Sequence, residues 1–187
     1  MLGGDVASGV SKVTELSPGE WAVLGLVGER QTHGFALAQQ LAPAGELGSV
    51  WTMARPAVYN AVNKLGALGL VCPVSSEPGA RGPTRTVVSV TQSGREALEG
   101  WLERPVDHVR DVRSMLLVKL ALLHRSGSDP SRLIGAQEAR LAEQVASLSK
   151  ARDESTGFDR VVVEWRLSSS RATLEFLHSV KGEARHR

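Results

Sequence analysis

Three observations predict a mainly α-helical chain carrying one small β-hairpin. Apolar residues recur at helical spacing along most of the 187 residues. Two β-rich runs, around Val71–Ser76 and Thr84–Val90, lie close together and are separated by Pro78-Gly79 and Gly82-Pro83. Ser17-Pro18, Thr91 and Asp129-Pro130 mark helix starts. The length suits one or two small domains with a real core. A hydrophobic fraction of 42% and a charged fraction of 22% are ordinary for a globular protein.

The net charge of +2 is too small to argue for nucleic acid, but its distribution is uneven. Between residues 55 and 86, Arg55, Lys64, Arg81 and Arg85 face only Glu77, whereas residues 1–54 carry an acidic excess. Cations placed against phosphates drive nucleic-acid binding, so a local patch matters more than the total. The bland alternative is a solvated basic surface. Cys72 is the single cysteine, which excludes an internal disulfide and fits a reducing, cytoplasmic compartment. Met1–Asp5 lacks the basic start of a signal peptide. The longest apolar run, Met115 to Leu123, is interrupted by Lys119 and too short to cross a membrane.

Taken in order, residues 1–15 have no period and read as a flexible tail. Ser17, Pro18 and Glu20 form a capping-box start for a first helix that should end at Gly28, with Trp21, Leu24 and Val27 on its inner face. Thr32 is expected to cap a second helix that stops before Pro43, with Phe35, Ala38 and Leu41 turned inward. His33, at the amino end of that helix, is either a phosphate donor or a plain surface histidine.

A third helix begins at Arg55-Pro56 and buries Val58, Val62 and Leu65. Tyr59, Asn60, Asn63 and Lys64 fall on the opposite face, where amide, phenol and ammonium groups suit base edges and phosphates. A solvated face is the competing reading. The hairpin follows, with Arg81 and Arg85 at or near its tip, placed to lie along a DNA backbone or enter a minor groove. Thr91 caps a fourth helix, Gln92 to Glu103, with Ala97, Leu98, Trp101 and Leu102 inward and Pro105 beyond it.

The order helix, helix, helix, strand, strand, helix, with a polar-faced third helix leading into a basic hairpin, is the pattern of a winged helix-turn-helix over residues 16–104. Residues 109–180 read as a helical region. It contains an apolar helix from Asp111 to Leu123, a long helix from Asp129-Pro130 to Asp153, and a last helix from Phe158 to Val180. Val163, Leu167, Leu174 and Leu177 line one side of the last helix. Ile134, Leu141 and Leu148 repeat every seven residues. That seam, with Met115, serves either dimerisation or docking onto the chain's own helices. Residues 181–187 read as a polar tail.

The run Trp21-Ala22-Val23-Leu24-Gly25-Leu26-Val27 followed by His33-Gly34-Phe35 resembles the first half of a PadR-like transcriptional regulator. Trp51 to Leu70 is similar to that family's recognition segment. Gly82-Pro83-Thr84-Arg85 resembles its wing, and Thr91-Gln92-Ser93-Gly94-Arg95 the opening of its next helix. Val87 and Val88 stand where the family often carries aromatics. The resemblance covers about residues 16–104.

It implies a homodimeric regulator, a repressor that binds an inverted-repeat operator in double-stranded DNA and is released by a small aromatic or drug-like effector. Tyr59, Asn60, Asn63 and Lys64 would face the groove, with Arg55 and His33 nearby and Arg81 and Arg85 on the wing. The recognition helices of a dimer would be roughly 34 Å apart. Trp101 is a candidate effector-stacking residue, with core packing as its alternative. A winged-helix protein-interaction adaptor is the alternative function. No catalytic, phosphate-loop or metal motif is present, and the five histidines have no ligand spacing. Neither an enzyme, a cofactor nor a metal is expected.

Overall fold

The structure, a computed structural model, describes residues 16–79 and 82–184. Its amino-terminal part runs α1 (Pro18–Glu29), β1 (Thr32–His33), α2 (Gly34–Gln40), α3 (Arg55–Ala67), β2 (Val71–Gly79), β3 (Gly82–Val90) and α4 (Gln92–Glu103). A 3-10 turn (Val109–Asp111) and a π-helical turn (Val112–Leu116) lead into α5 (Leu117–Ser126), α6 (Ser131–Glu154) and α7 (Gly157–Ala184). The chain is thus mainly α with one small antiparallel sheet. The expected tail at residues 1–15 lies outside the described residues. Of the expected polar tail at 181–187, residues 181–184 instead continue α7.

The capping box at α1 forms as its sequence requires. The Glu20 amide donates to Ser17 Oγ at 3.3 Å, and the Ser17 amide donates to Glu20 Oε2 at 2.7 Å. Every residue from Trp21 to Val27 is buried, so α1 is a central helix covered on all sides rather than on one face. Gly28 does not end it. The helix runs on to Glu29, and the missing side chain of Gly28 leaves room for Leu98, whose Cδ2 would lie 3.0 Å from an added Cβ.

The sheet has three strands in the order β1-β3-β2, not the two of a bare hairpin. Thr32 pairs with Val88 and His33 with Val87. A two-residue strand carries no period of its own, so only its pairing reveals it. Pro73 and Pro78 sit on β2, an edge strand with register shifts between Pro73 and Ser75 and between Glu77 and Gly79. Edges and bulges are where a residue without an N–H is tolerated.

Thr91 caps α4 as expected. Its Oγ1 accepts from the Gly94 amide at 3.0 Å and donates to Gly69 O at 2.7 Å. The first core gathers α1, Leu37, Leu41, Leu47, Val58, Leu65, Val71, Val88, Val90 and Trp101. The second gathers Val106, Leu116, Leu133, Ile134, Leu141 and Leu177. α5 crosses the division expected at residues 104–109, because Val118 and Leu122 join the first core while Leu120 and Leu123 pack on the second. Met115 packs on both. Arg125, at the end of α5, is tied to Glu29 at 2.7 Å, to Gln40 at 2.8 Å and to Glu46.

α6 and α7 pack against each other. Ile134 and Leu141 are fully buried in this intrachain contact, and Leu148 is half-buried. Of the two roles open to the seam, it therefore docks on the chain's own helices. Leu167 and Leu177 face inward as the spacing predicts, joined by Ser170 and Thr173. Those hydroxyls donate to Arg166 O at 2.9 Å and Ser169 O at 2.8 Å within α7, so neither of the two is left unpaired.

Candidate nucleic-acid interface

α3 lies across the first core, with Val58, Ala61 and Leu65 buried and Tyr59, Asn60, Asn63 and Lys64 exposed. Arg55 and Pro56 start the helix without a side-chain cap, and Pro56 needs no partner for an N–H it lacks. Around this helix the first turn of α2 and the two long strands form an open groove. His33, Phe35, Arg55, Tyr59, Asn63, Cys72, Thr84 and Arg85 line it.

The structure brings most of the expected residues together and separates Lys64 from them. Tyr59 and Asn63 line the groove, and Asn60 is exposed beside them. Lys64 is on the far side of the exposed face. There its Nζ lies 2.9 Å from Glu20 Oε2, the carboxylate that also closes the α1 capping box. Burial opposes ionisation of Glu20, but the hydrogen bonds from Lys64 and Ser17 outweigh it and hold the carboxyl below its usual value. Lys64 is therefore already paired. Arg81 lies outside the described residues.

His33 is neither a free donor nor a plain surface side chain. It replaces Thr32 as the cap of α2, its Nδ1 accepting from the Ala36 amide at 3.0 Å. An Nδ1 that accepts this bond cannot donate outward. Only Nε2 remains to reach outward.

Phe35 also departs from expectation. Leu37, Ala38 and Leu41 are buried, and Phe35 is turned into the groove. The Arg85 guanidinium carbon stands 4.4 Å from its ring centroid and that of Arg55 stands 4.9 Å away. Both arrangements are cation–π contacts. Gly34 explains how the neighbouring aromatic fits. An added Cβ there would sit 2.7 Å from Tyr59 Cε1, so only glycine lets the Tyr59 ring lie against the start of α2. Spacing alone assigned Phe35 to the core. The signal that could have corrected this is the brevity of α2, whose seven residues give too few turns for a reliable inner face.

Trp101 is 7% exposed and its ring is covered. Trp21 stacks on it with centroids 4.6 Å apart and planes 7° from parallel, and Lys119 Nζ lies 4.7 Å from the ring centroid. In this conformation neither ring face is open to a flat ligand, so core packing is the role the structure gives it. Trp101 Nε1 is buried without a hydrogen-bond partner. Lys119, itself 2% exposed, donates to Arg104 O. Burial, reinforced by the Arg104 charge and opposed by Asp107, pulls the Lys119 ammonium down to about 8.

Residues 23–100 match the model of the transcriptional regulator PadR-like family. No curated protein matches. Among solved structures, the chain is similar to Bacillus subtilis PadR in complex with operator DNA, with 18% identity, a TM-score of 0.44, and coverage of 88% of this chain and 98% of that one. It is also similar to the same protein in complex with p-coumaric acid, with 18% identity, a TM-score of 0.41, and coverage of 89% and 98%. A third similar structure is smu.1604c from Streptococcus mutans UA159, with 17% identity, a TM-score of 0.41, and coverage of 87% and 98%. Residues 23–100, which span most of the four-helix and three-strand arrangement described above, are thus similar to the PadR-like family of transcriptional regulators.

Proposed function

We propose that this protein is a sequence-specific DNA-binding repressor that acts as a homodimer and leaves its operator when a small molecule binds. The observation that carries the DNA reading is the groove itself. Tyr59, Asn60 and Asn63 present phenol and amide groups from one exposed helix face, and Arg55 and Arg85 flank that face. Among the described residues, no carboxylate is in salt-bridge range of either arginine. An exposed helix of this width suits a major groove, the amides suit adenine edges, and the arginines suit phosphates. Lys64 joins the contact only if its pair with Glu20 opens, and His33 contributes through Nε2. Arg81 is proposed as a further wing contact on its sequence position.

The dimer is proposed on α7. Phe158, Val161 and Trp165 are 78%, 59% and 65% exposed at one end of that helix, an apolar strip that a second copy would cover. Ile134 and Leu141 support the dimer only indirectly, by fixing α7 in place, and Leu148 and Met115 likewise. An effector at Trp101 would have to displace Trp21 or Lys119 from the ring.

The test is fluorescence anisotropy with labelled duplexes spanning the DNA upstream of the protein's own coding sequence and its neighbours. Nanomolar binding to one short inverted repeat is expected, weakening steeply with salt. Tyr59→Ala and Arg85→Ala should each lower affinity without unfolding the chain. Weak binding that is equal on every duplex would reject sequence-specific regulation. Unchanged affinity in both variants would reject the site.

A further inference from the structure

We propose that Phe35 is a positioning residue for DNA binding. Its ring is a shared platform that holds Arg55 from α3 and Arg85 from β3 together, so that one stretch of phosphate backbone is gripped by helix and wing at once. This rests on the DNA reading above. The two arginines come from elements thirty residues apart in sequence, yet both guanidinium carbons lie over one ring, at 4.9 and 4.4 Å from its centroid.

Two like charges brought this close repel each other. Among the described residues no acid offsets them. Glu77 is the cross-strand partner of Arg85, but their side chains form no salt bridge. What opposes the repulsion in the free protein is the negative face of the Phe35 ring. An external anion offsets it further, and a phosphate backbone that meets both cations would supply that charge.

Long arginine side chains lose rotamer freedom on binding, and a ring that already orders both of them lowers that loss. The platform is itself held in place. His33 caps the first turn of α2 through the Ala36 amide, and Gly34 allows the Tyr59 ring to close in beside it. His33, Gly34 and Phe35 thus act together: one fixes the turn, one admits the tyrosine, and one orders the arginines.

Because phosphate contacts are sequence-independent, the test needs no operator. A random-sequence 30-base-pair duplex is titrated with wild type, Phe35→Leu, Phe35→Tyr, Arg85→Ala and the Phe35→Leu/Arg85→Ala double variant over a range of salt concentrations. Phe35→Leu is expected to weaken binding about tenfold at low salt and to flatten the plot of log K against log salt by about one unit. Phe35→Tyr, which keeps the ring, should restore both. Adding Phe35→Leu to Arg85→Ala should weaken binding less than Phe35→Leu weakens the wild type, since only Arg55 then remains for the ring to position.

In the unliganded wild-type protein, the Arg85 side-chain proton resonances should be shifted upfield by the ring. That readout requires no variant to fold. Wild-type binding with an unchanged affinity and salt slope in Phe35→Leu would overturn the platform and leave the DNA reading standing. Unshifted Arg85 resonances would overturn it as well. Failure of the wild type to bind any duplex would remove the DNA reading, and the platform with it.

Discussion

Replacing Lys119 with methionine removes a buried charge that the fold tolerates at a cost, and pH measures that cost. Lys119 is 2% exposed, its ammonium faces the Trp101 ring and the Arg104 carbonyl, and its folded value of about 8 lies below the ordinary 10.5. Between those two values the unfolded chain binds a proton that the folded chain does not. The stability contribution of this group therefore rises as pH climbs from about 8 to 10.5, and it is flat below 8. Each unit is worth about 1.4 kcal/mol. Between pH 7 and 9.5 the gain comes to about 2 kcal/mol, or 1–2 kcal/mol after allowing for residual solvent screening.

Urea unfolding of wild type and Lys119→Met across this interval isolates the effect, because titrations common to both proteins cancel in the difference. The wild type should gain stability relative to the variant as pH rises, so the advantage of methionine should be largest at pH 7 and shrink toward pH 9.5. Stability curves that stay parallel across the whole interval would refute the reasoning. They would mean that the ammonium is solvated in the native state.

Other perturbations test other joints of the fold. Gly94→Ala should destabilise the chain by about 2 kcal/mol in a thermal melt, because the new Cβ would stand 2.1 Å from Leu70 O, a backbone atom that cannot swing aside. Gln137→Leu should cost about 2–3 kcal/mol in urea unfolding. The Gln137 amide accepts from Val106 N at 2.7 Å and donates to Val106 O at 3.1 Å, and leucine leaves both of those buried groups unpaired. Trp165→Glu should shift the protein from dimer to monomer in sedimentation velocity while leaving its melting temperature within a few degrees, because the ring is exposed in the single chain. A dimer that persists would move the interface away from this end of α7.

Much of the fold was legible in the residues. α4 has the limits its cap and Pro105 imply, and Ser17, Pro18 and Glu20 build the start of α1 as their spacing requires. These are local signals, since a cap is a contact between residues three apart and needs no distant partner. The failures are equally specific. Thr32 was expected to cap α2, but Thr32 and His33 both pair with β3, through Val88 and Val87, and the helix starts one residue later, at Gly34, with His33 as its cap. The apolar run after Pro105 was expected to be one helix, but it enters through a 3-10 and then a π-helical turn as it bridges two cores. Its composition is helical throughout, and only the packing on either side reveals the irregular turns.

The candidate site divides along the same line. By itself, the sequence determined that α3 would carry a polar face with Tyr59, Asn60 and Asn63 together, because one helical period places them there. It also determined that a basic hairpin would follow. Only the tertiary structure decided which cations remain available. It pairs Lys64 with Glu20 across 44 residues, turns Phe35 out of the core, and sets Arg55 and Arg85 over that ring. It likewise covers Trp101 with Trp21 and Lys119. The physical reason is common to all of these. Periodicity reports the direction a side chain leaves its own backbone, whereas charge pairing and ring stacking depend on what another segment brings to the same place.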